Sequence, residues 1–251
     1  MSDVRRRRVL GGLAALCGGL LMGRRTLARE RWSVYFDDTF PPYNFRDGDR
    51  FSGMDLEIVQ AILGRIGVDW EFRTLPWPRV LAALDRGDAD VVVQMVGVPA
   101  RFERYLMVGP FRTGQTVLAV PKESRLVFSG LDSLHGRTVG TVRGFLYTPD
   151  FDAARGFTRE ESVSVAQSLR KLVTGGVDAV VGDRVALAWV ARREGLGDRI
   201  RFLPTVLAEV PRYIALPRGR EEKAARLAQG LEMIRQDGTL ARIIARWRDE
   251  V

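Results

Sequence analysis

Apolar positions in this chain alternate between two periods. Trp32-Ser33-Val34-Tyr35-Phe36 reads as a short strand that runs into Asp37-Asp38-Thr39-Phe40-Pro41-Pro42-Tyr43, where two prolines after an acidic pair make a rigid loop. Phe45 to Phe51 encloses Asp47-Gly48-Asp49, a hairpin-like turn signal. A helix then begins at Asp55, the residue expected to cap it, with Leu56, Val59, Ile62, Leu63 and Ile66 at helical spacing and a stop at Gly67. Val68 to Arg73 alternates like a strand, and Val80, Leu81 and Leu84 mark a second helix. Arg86-Gly87-Asp88 turns the chain into Val91-Val92-Val93, a β-branched run that reads as a strand buried on both faces. That strand ends in a polar loop, Gln94 to Pro99, with Arg101 just beyond and Gly109-Pro110-Phe111 closing the segment. The end of a buried strand in an open α/β sheet is where a ligand site is expected.

A second unit repeats the plan. Thr116 to Val120 and Arg137 to Val142 read as strands, Gly144 opens a loop, and Asp150 to Ala154 starts a helix. Ser162 to Val165 reads as a strand, Ser168 to Val173 as a helix, and Val177 to Val181 as another buried strand. The order helix, glycine turn, acidic residue, buried strand, polar loop is thus written twice, from Leu84 to Arg101 and from Leu172 to Asp183-Arg184. Two similar lobes, each offering a loop at a strand end, suggest one site between them. After a helix holding Trp189 and Val190, strands at Ile200–Leu203 and Arg212–Leu216 precede two amphipathic helices divided at Asp237-Gly238. Strands alternating with helices of this length imply a mainly parallel sheet.

Composition narrows the functional classes. Hydrophobic content of 46% over 251 residues suffices for one large or two small cores. The net charge of +8 is partly local, because residues 1–28 hold six arginines and one aspartate. Elsewhere no basic stripe with interleaved aromatics stands out, which argues against a nucleic-acid partner. Residues 1–28 read as an export signal: Arg5 to Arg8, an apolar run from Val9 to Met22, and a small-residue cleavage site at Thr26-Leu27-Ala28. Arg6-Arg7-Arg8-Val9-Leu10 resembles the twin-arginine pattern, and an ordinary Sec signal is the alternative. Export places the mature chain in the periplasm. Cys17, the only cysteine, lies inside that signal. His135 sits in a Leu-His-Gly turn and reads as structural. No metal-ligand spacing, nucleophile elbow or phosphate-binding loop appears, so neither a metal, a cofactor nor an enzymatic activity is expected.

These landmarks, taken together, resemble the family-3 bacterial extracellular solute-binding proteins, the amino-acid-type binding components of ABC importers. The resemblance rests on Phe40-Pro41-Pro42-Tyr43, Gly53-Met54-Asp55-Leu56-Glu57, Trp77, Gly87-Asp88-Ala89-Asp90-Val91, and Pro99-Ala100-Arg101 before Gly109-Pro110-Phe111. It continues through Val139-Gly140, Val177 to Asp183, and Asp237-Gly238-Thr239 before Trp247. It implies a type II periplasmic-binding-protein fold: two α/β lobes, 32–113 plus 214–251 and 114–213, joined by a two-strand hinge. It also implies a monomer that closes on a small carboxylate-bearing, amino-acid-like ligand and docks to an ABC permease, or to a sensor, in the inner membrane. By the family's pattern Arg101 grips a carboxylate, Asp183 takes an ammonium, Phe40 and Trp77 sandwich the side chain, and Asp37 adds a polar contact.

Gln94, Phe145 and Tyr147 complete the candidate site. The chain departs from the pattern in having Val96 and Val98 where hydroxyl side chains usually flank the arginine, and Phe145-Leu146-Tyr147 after Gly144. A more apolar pocket follows, and with it a ligand with an apolar or aromatic part. The enzymatic alternative on this fold is a cyclohexadienyl-type dehydratase, whose acid would be Asp37 or Asp183.

Overall fold

The computed structural model describes residues 29–249, so the segment read as an export signal lies outside the described residues. The chain runs β1 (Arg31–Phe36), β2 (Thr39–Phe40), β3 (Asn44–Asp47), β4 (Arg50–Ser52), α1 (Met54–Arg65), β5 (Asp69–Thr74), α2 (Trp77–Arg86), β6 (Val91–Val96), α3 (Pro99–Arg104) and β7 (Leu106–Pro121). It continues β8 (Thr138–Val142), α4 (Pro149–Ala153), β9 (Thr158–Ser162), α5 (Val165–Val173), β10 (Ala179–Asp183), α6 (Arg184–Arg193), β11 (Ile200–Phe202), β12 (Ala208–Leu216), α7 (Glu221–Gln236) and α8 (Thr239–Asp249).

The main sheet has the order β5-β1-β6-β12-β7-β10-β8-β9, with β11 on β7. β5, β1 and β6 are mutually parallel, as are β10, β8 and β9. The two parallel halves meet through β12 and β7, which pair antiparallel with each other and with their outer neighbours. These two long strands carry the chain between two α/β lobes and form the hinge of a type II periplasmic-binding-protein fold.

The apolar runs bury both faces of each half. Val91 and Val93 join the core of Trp32, Phe36, Ile62 and Leu231, while Val92 joins Tyr35, Val80 and Leu84. All three valines are fully buried, each burial stabilising by about 1.5–3 kcal/mol. In the second lobe Val180 faces Leu169 and Leu187, while Ala179 and Val181 face Phe151 and Leu203. Gly87 ends α2 at φ 76°, the left-handed conformation that leaves the chain free to turn directly into β6.

Four local expectations change. The strand expected at Ser162–Val165 lies earlier, at Thr158–Ser162, because the Ser164 side chain accepts from the Gln167 amide and caps α5. Asp55 does not cap α1; Gly53 holds that position, and Asp55 is buried within the first turn. Arg101 rides a short helix, begun by Pro99, where a loop was expected. The segments before and after Gly109-Pro110-Phe111 form one continuous strand, β7, because the ladder with β12 resumes across a register shift there.

Candidate functional site

The two lobes and the hinge enclose a cavity of about 40 Å³, room for roughly three water molecules. Its lining includes Arg101, Asp183, Phe40, Trp77, Gln94, Phe145 and Tyr147, together with Val96, Thr116, Leu146 and Arg212. Seven of the eight candidates read from the sequence therefore meet in one place; Asp37 does not line it.

Asp37 works one layer out. Its Oδ1 accepts from the Thr39 amide (2.8 Å) and hydroxyl (2.5 Å), and its Oδ2 accepts from the Trp77 amide (2.8 Å). The carboxylate thereby ties the β1–β2 loop to the start of α2 and fixes where the Trp77 indole enters the cavity. Both oxygens are thus bound to protein donors. The short-range pattern Asp37-Asp38-Thr39 is a turn cap of the kind acidic residues commonly make.

Arg101 leans from α3 toward the cavity. One of its terminal nitrogens donates to the Val96 carbonyl at 3.3 Å, and the guanidinium carbon lies 5.9 Å from the Trp77 ring centroid. It makes no ion pair among the described residues, and burial lowers its pKa. Val96, which replaces the expected hydroxyl residue, thus contributes its backbone oxygen; Val98 accepts the Arg101 amide at 2.9 Å and starts α3.

Asp183 ends β10 and caps α6, its Oδ1 accepting from the Val185 and Ala186 amides, both at 3.1 Å. The same oxygen accepts from the Tyr43 hydroxyl at 2.7 Å, a bond that crosses from one lobe to the other. Its Oδ2 is sealed from solvent without a hydrogen-bond partner. A Cβ at Gly114 would come within 2.2 Å of that oxygen, so only glycine leaves space for it. Burial, together with the neighbouring Asp183 charge, raises the Tyr43 pKa well above its ordinary value and keeps the hydroxyl a donor.

The Tyr43 ring lies under Arg112, whose guanidinium carbon is 3.5 Å from the ring centroid. Arg112 forks onto Asp55 through Nε (2.5 Å) and a terminal nitrogen (2.8 Å). Burial opposes this charge, yet the facing Asp55 carboxylate, with Tyr43 and Asp183, holds the Arg112 guanidinium above the ordinary arginine value. Asp55, Arg112, Tyr43 and Asp183 therefore form one buried polar chain running from α1 through the hinge to α6.

Gln94 adopts φ 61°, the only positive φ outside glycine among the described residues. It sits where β6 carries one more residue than β12 between paired positions, and its side-chain oxygen accepts from the Asn44 side-chain Nδ2. Such a conformation costs of order 1–3 kcal/mol and is held by its surroundings. Phe40 meets Phe145 edge-on across the cleft at 5.4 Å. The Tyr147 hydroxyl accepts from the Val142 amide at 2.7 Å, anchoring the loop after β8.

Sequence reasoning missed Arg212 as a lining residue, and missed the buried chain of Asp55, Arg112 and Tyr43 behind it. Arg212 opens the apolar run Tyr213-Ile214-Ala215-Leu216, and a charge at the head of a buried hinge strand was the available signal. Its Nε is sealed from solvent and unpartnered. Burial, with the positive Arg112 nearby, pushes its pKa down to about 10, which still leaves it charged at neutral pH. Among the described residues no cluster of histidine, cysteine, aspartate and glutamate has the makings of a metal site.

A sequence model of the bacterial extracellular solute-binding proteins, family 3, matches residues 33–250. The L-cystine-binding protein TcyA of Bacillus subtilis is 23% identical over 221 residues, covering 87% of this chain and 81% of that protein. The solved structure of an ancestral arginine-binding protein bound to arginine superposes with a TM-score of 0.78 at 26% identity, over 87% of this chain and 98% of that one. A histidine kinase sensor domain with similarity to periplasmic binding proteins superposes with a TM-score of 0.79 at 25% identity, over 87% and 96%.

Proposed function

The chain belongs to the bacterial extracellular solute-binding proteins, family 3, and from that premise we propose that it captures a small carboxylate-bearing ligand between its lobes for import through an ABC permease. The observation that carries this reading is Arg101: a half-buried guanidinium at the cavity wall with one long backbone hydrogen bond and no acid partner among the described residues. Such a group is poised for a bidentate carboxylate. Phe40, Trp77, Phe145 and Tyr147 supply apolar walls for the rest of the ligand, and Asp183 stands within the same lining for an ammonium group.

The lobes, 32–113 plus 214–251 and 114–213, would close about β7 and β12 after export to the periplasm. A ligand touching both lobes only when they are closed shifts that equilibrium toward the closed form. Tyr43 to Asp183 is then a closure bond. Tyr43→Phe is expected to weaken ligand binding roughly tenfold, the worth of one hydrogen bond to a charged group, and to expand the ligand-free chain in small-angle scattering. Unchanged affinity and an unchanged radius of gyration would detach this bond from closure.

The family reading is tested by a thermal-shift screen of amino acids, aromatic acids and short carboxylates, since a ligand raises the melting point by mass action. A carboxylate that raises it, and whose amide or ester does not, is the expected result. If neutral compounds alone raise it, the carboxylate reading falls. The similarity to a kinase sensor domain favours a second reading, in which the closed form signals to a receptor. Copurification of the ligand-loaded chain with a permease, against a sensor, separates the two.

A further inference from the structure

We propose that Arg212 is a second anion-binding residue of the cleft, so that the ligand carries two acid groups rather than one. The proposal rests on the reading of Arg101 as the first carboxylate site. Two arginines line the same small cavity, one from α3 and one from the hinge strand β12. The side chain of Arg212 makes no hydrogen bond or ion pair with any described residue, and its Nε is shut off from solvent. Its guanidinium carbon lies 5.9 Å from the Phe40 ring centroid, and Asp183 and Asp55 act on it through charge without a hydrogen bond.

Three of the four carboxylate oxygens of Asp55 and Asp183 are already engaged. Both oxygens of Asp55 accept from Arg112. Oδ1 of Asp183 takes three donors, and its Oδ2 is turned into the space left by Gly114. The Gln94 side-chain oxygen is occupied by Asn44. Asp183 Oδ2 is the acid oxygen still without a donor, and it lies against Gly114; neither cavity guanidinium, Arg101 or Arg212, is ion-paired to an acid among the described residues.

A ligand with one carboxylate answers Arg101 and leaves the half-buried Arg212 guanidinium, its Nε sealed from solvent, without a hydrogen-bonded acceptor, which is costly. A second carboxylate answers both, each by a charge-assisted fork. Both guanidiniums line one cavity, so a short spacer suffices to join the two acid groups. The ligand class is therefore a small dicarboxylic acid, with or without an ammonium group.

The test is calorimetric titration of the purified protein with two matched pairs: L-glutamate against L-glutamine, and glutarate against its monoamide. Each pair differs only by exchanging a carboxylate for an amide. At least one diacid is expected to bind roughly 10- to 100-fold more tightly than its amide, the range of one charged hydrogen-bond set. In Arg212→Gln that ratio should fall to about one, and Arg212→Lys, which keeps the charge but loses the fork, should retain part of it. A ratio within one protein is insensitive to the fraction folded.

Amides binding as well as diacids, a ratio unchanged in Arg212→Gln, or no diacid binding would each overturn the proposal. Arg101→Ala separates it from the reading beneath it. Loss of all binding in Arg101→Ala with no diacid preference in the parent leaves Arg101 standing and Arg212 refuted. Diacid preference lost in Arg212→Gln while Arg101→Ala binds like the parent does the reverse.

Discussion

Asp55→Ala is expected to destabilise the folded chain by roughly 3–5 kcal/mol, the cost of leaving a buried charge without its partner. The side chains of Asp55 and Arg112 are 0% and 4% exposed, so neither recovers water as compensation. With the carboxylate gone, Arg112 would lie between the Tyr43 ring and Asp183 with its Nε and two terminal nitrogens all seeking acceptors. Asp183 Oδ2, which lies beside Gly114 as an Arg112 terminal nitrogen does, is an acceptor without a donor, and moving it toward Arg112 would strain the cap on α6. Asp55→Leu combined with Arg112→Met should recover much of the loss, because replacing both members of a buried pair with apolar groups removes the desolvation cost as well as the attraction. Urea denaturation of the single and double variants gives the comparison. A single variant within about 0.5 kcal/mol of the parent, the range of ordinary surface changes, would show that the pair does not hold the fold.

The same variant bears on the cleft. Arg112 lies on β7, and Asp55 lies in the first turn of α1, so their bond fixes one face of the hinge strand to the first lobe. Tyr43 stacks on Arg112 and passes the constraint to Asp183. The lining of the cavity and the hinge that opens it thus share one polar network. Buried networks of this kind are rigid when satisfied and fail together when one member is removed.

Local features of the fold were legible because their causes are local. Val91 to Val93 and Val177 to Val181 announce buried strands by composition, and Gly87 marks the turn before the first of them. That Arg101 and Asp183 meet at one cavity was legible through the order of landmarks around them. Arg112 and Asp55 were not, since their bond joins positions 57 residues apart and nothing near either residue advertises the other. Tyr43 and Asp183 are 140 positions apart. Asp37 was expected as a polar ligand contact from the family's pattern, but two donors close to it in sequence and the Trp77 amide claim its oxygens. The course of β7 through Gly109-Pro110 escaped for a related reason: glycine and proline signal a break, and only the partner strand β12 shows that the ladder continues.

Arg101→Ala is expected to weaken binding of a carboxylate ligand by about 3 kcal/mol or more, roughly 100-fold. The expectation is asymmetric between binding and folding. Without ligand, Arg101 contributes one hydrogen bond of 3.3 Å to the Val96 carbonyl and a distant contact with the Trp77 ring. Its removal should therefore change folding stability by less than about 1 kcal/mol. With ligand bound, the same truncation strands a carboxylate among Phe40, Trp77 and Phe145, where water has little room. Arg101→Lys should fall between the two, because an ammonium restores the charge but not the two parallel N–H donors. Calorimetry for affinity and thermal melts without ligand read the two quantities separately. Affinity preserved in Arg101→Ala would remove the carboxylate from this wall of the cleft, whereas a melt that collapses would make Arg101 a structural residue and its effect on binding indirect.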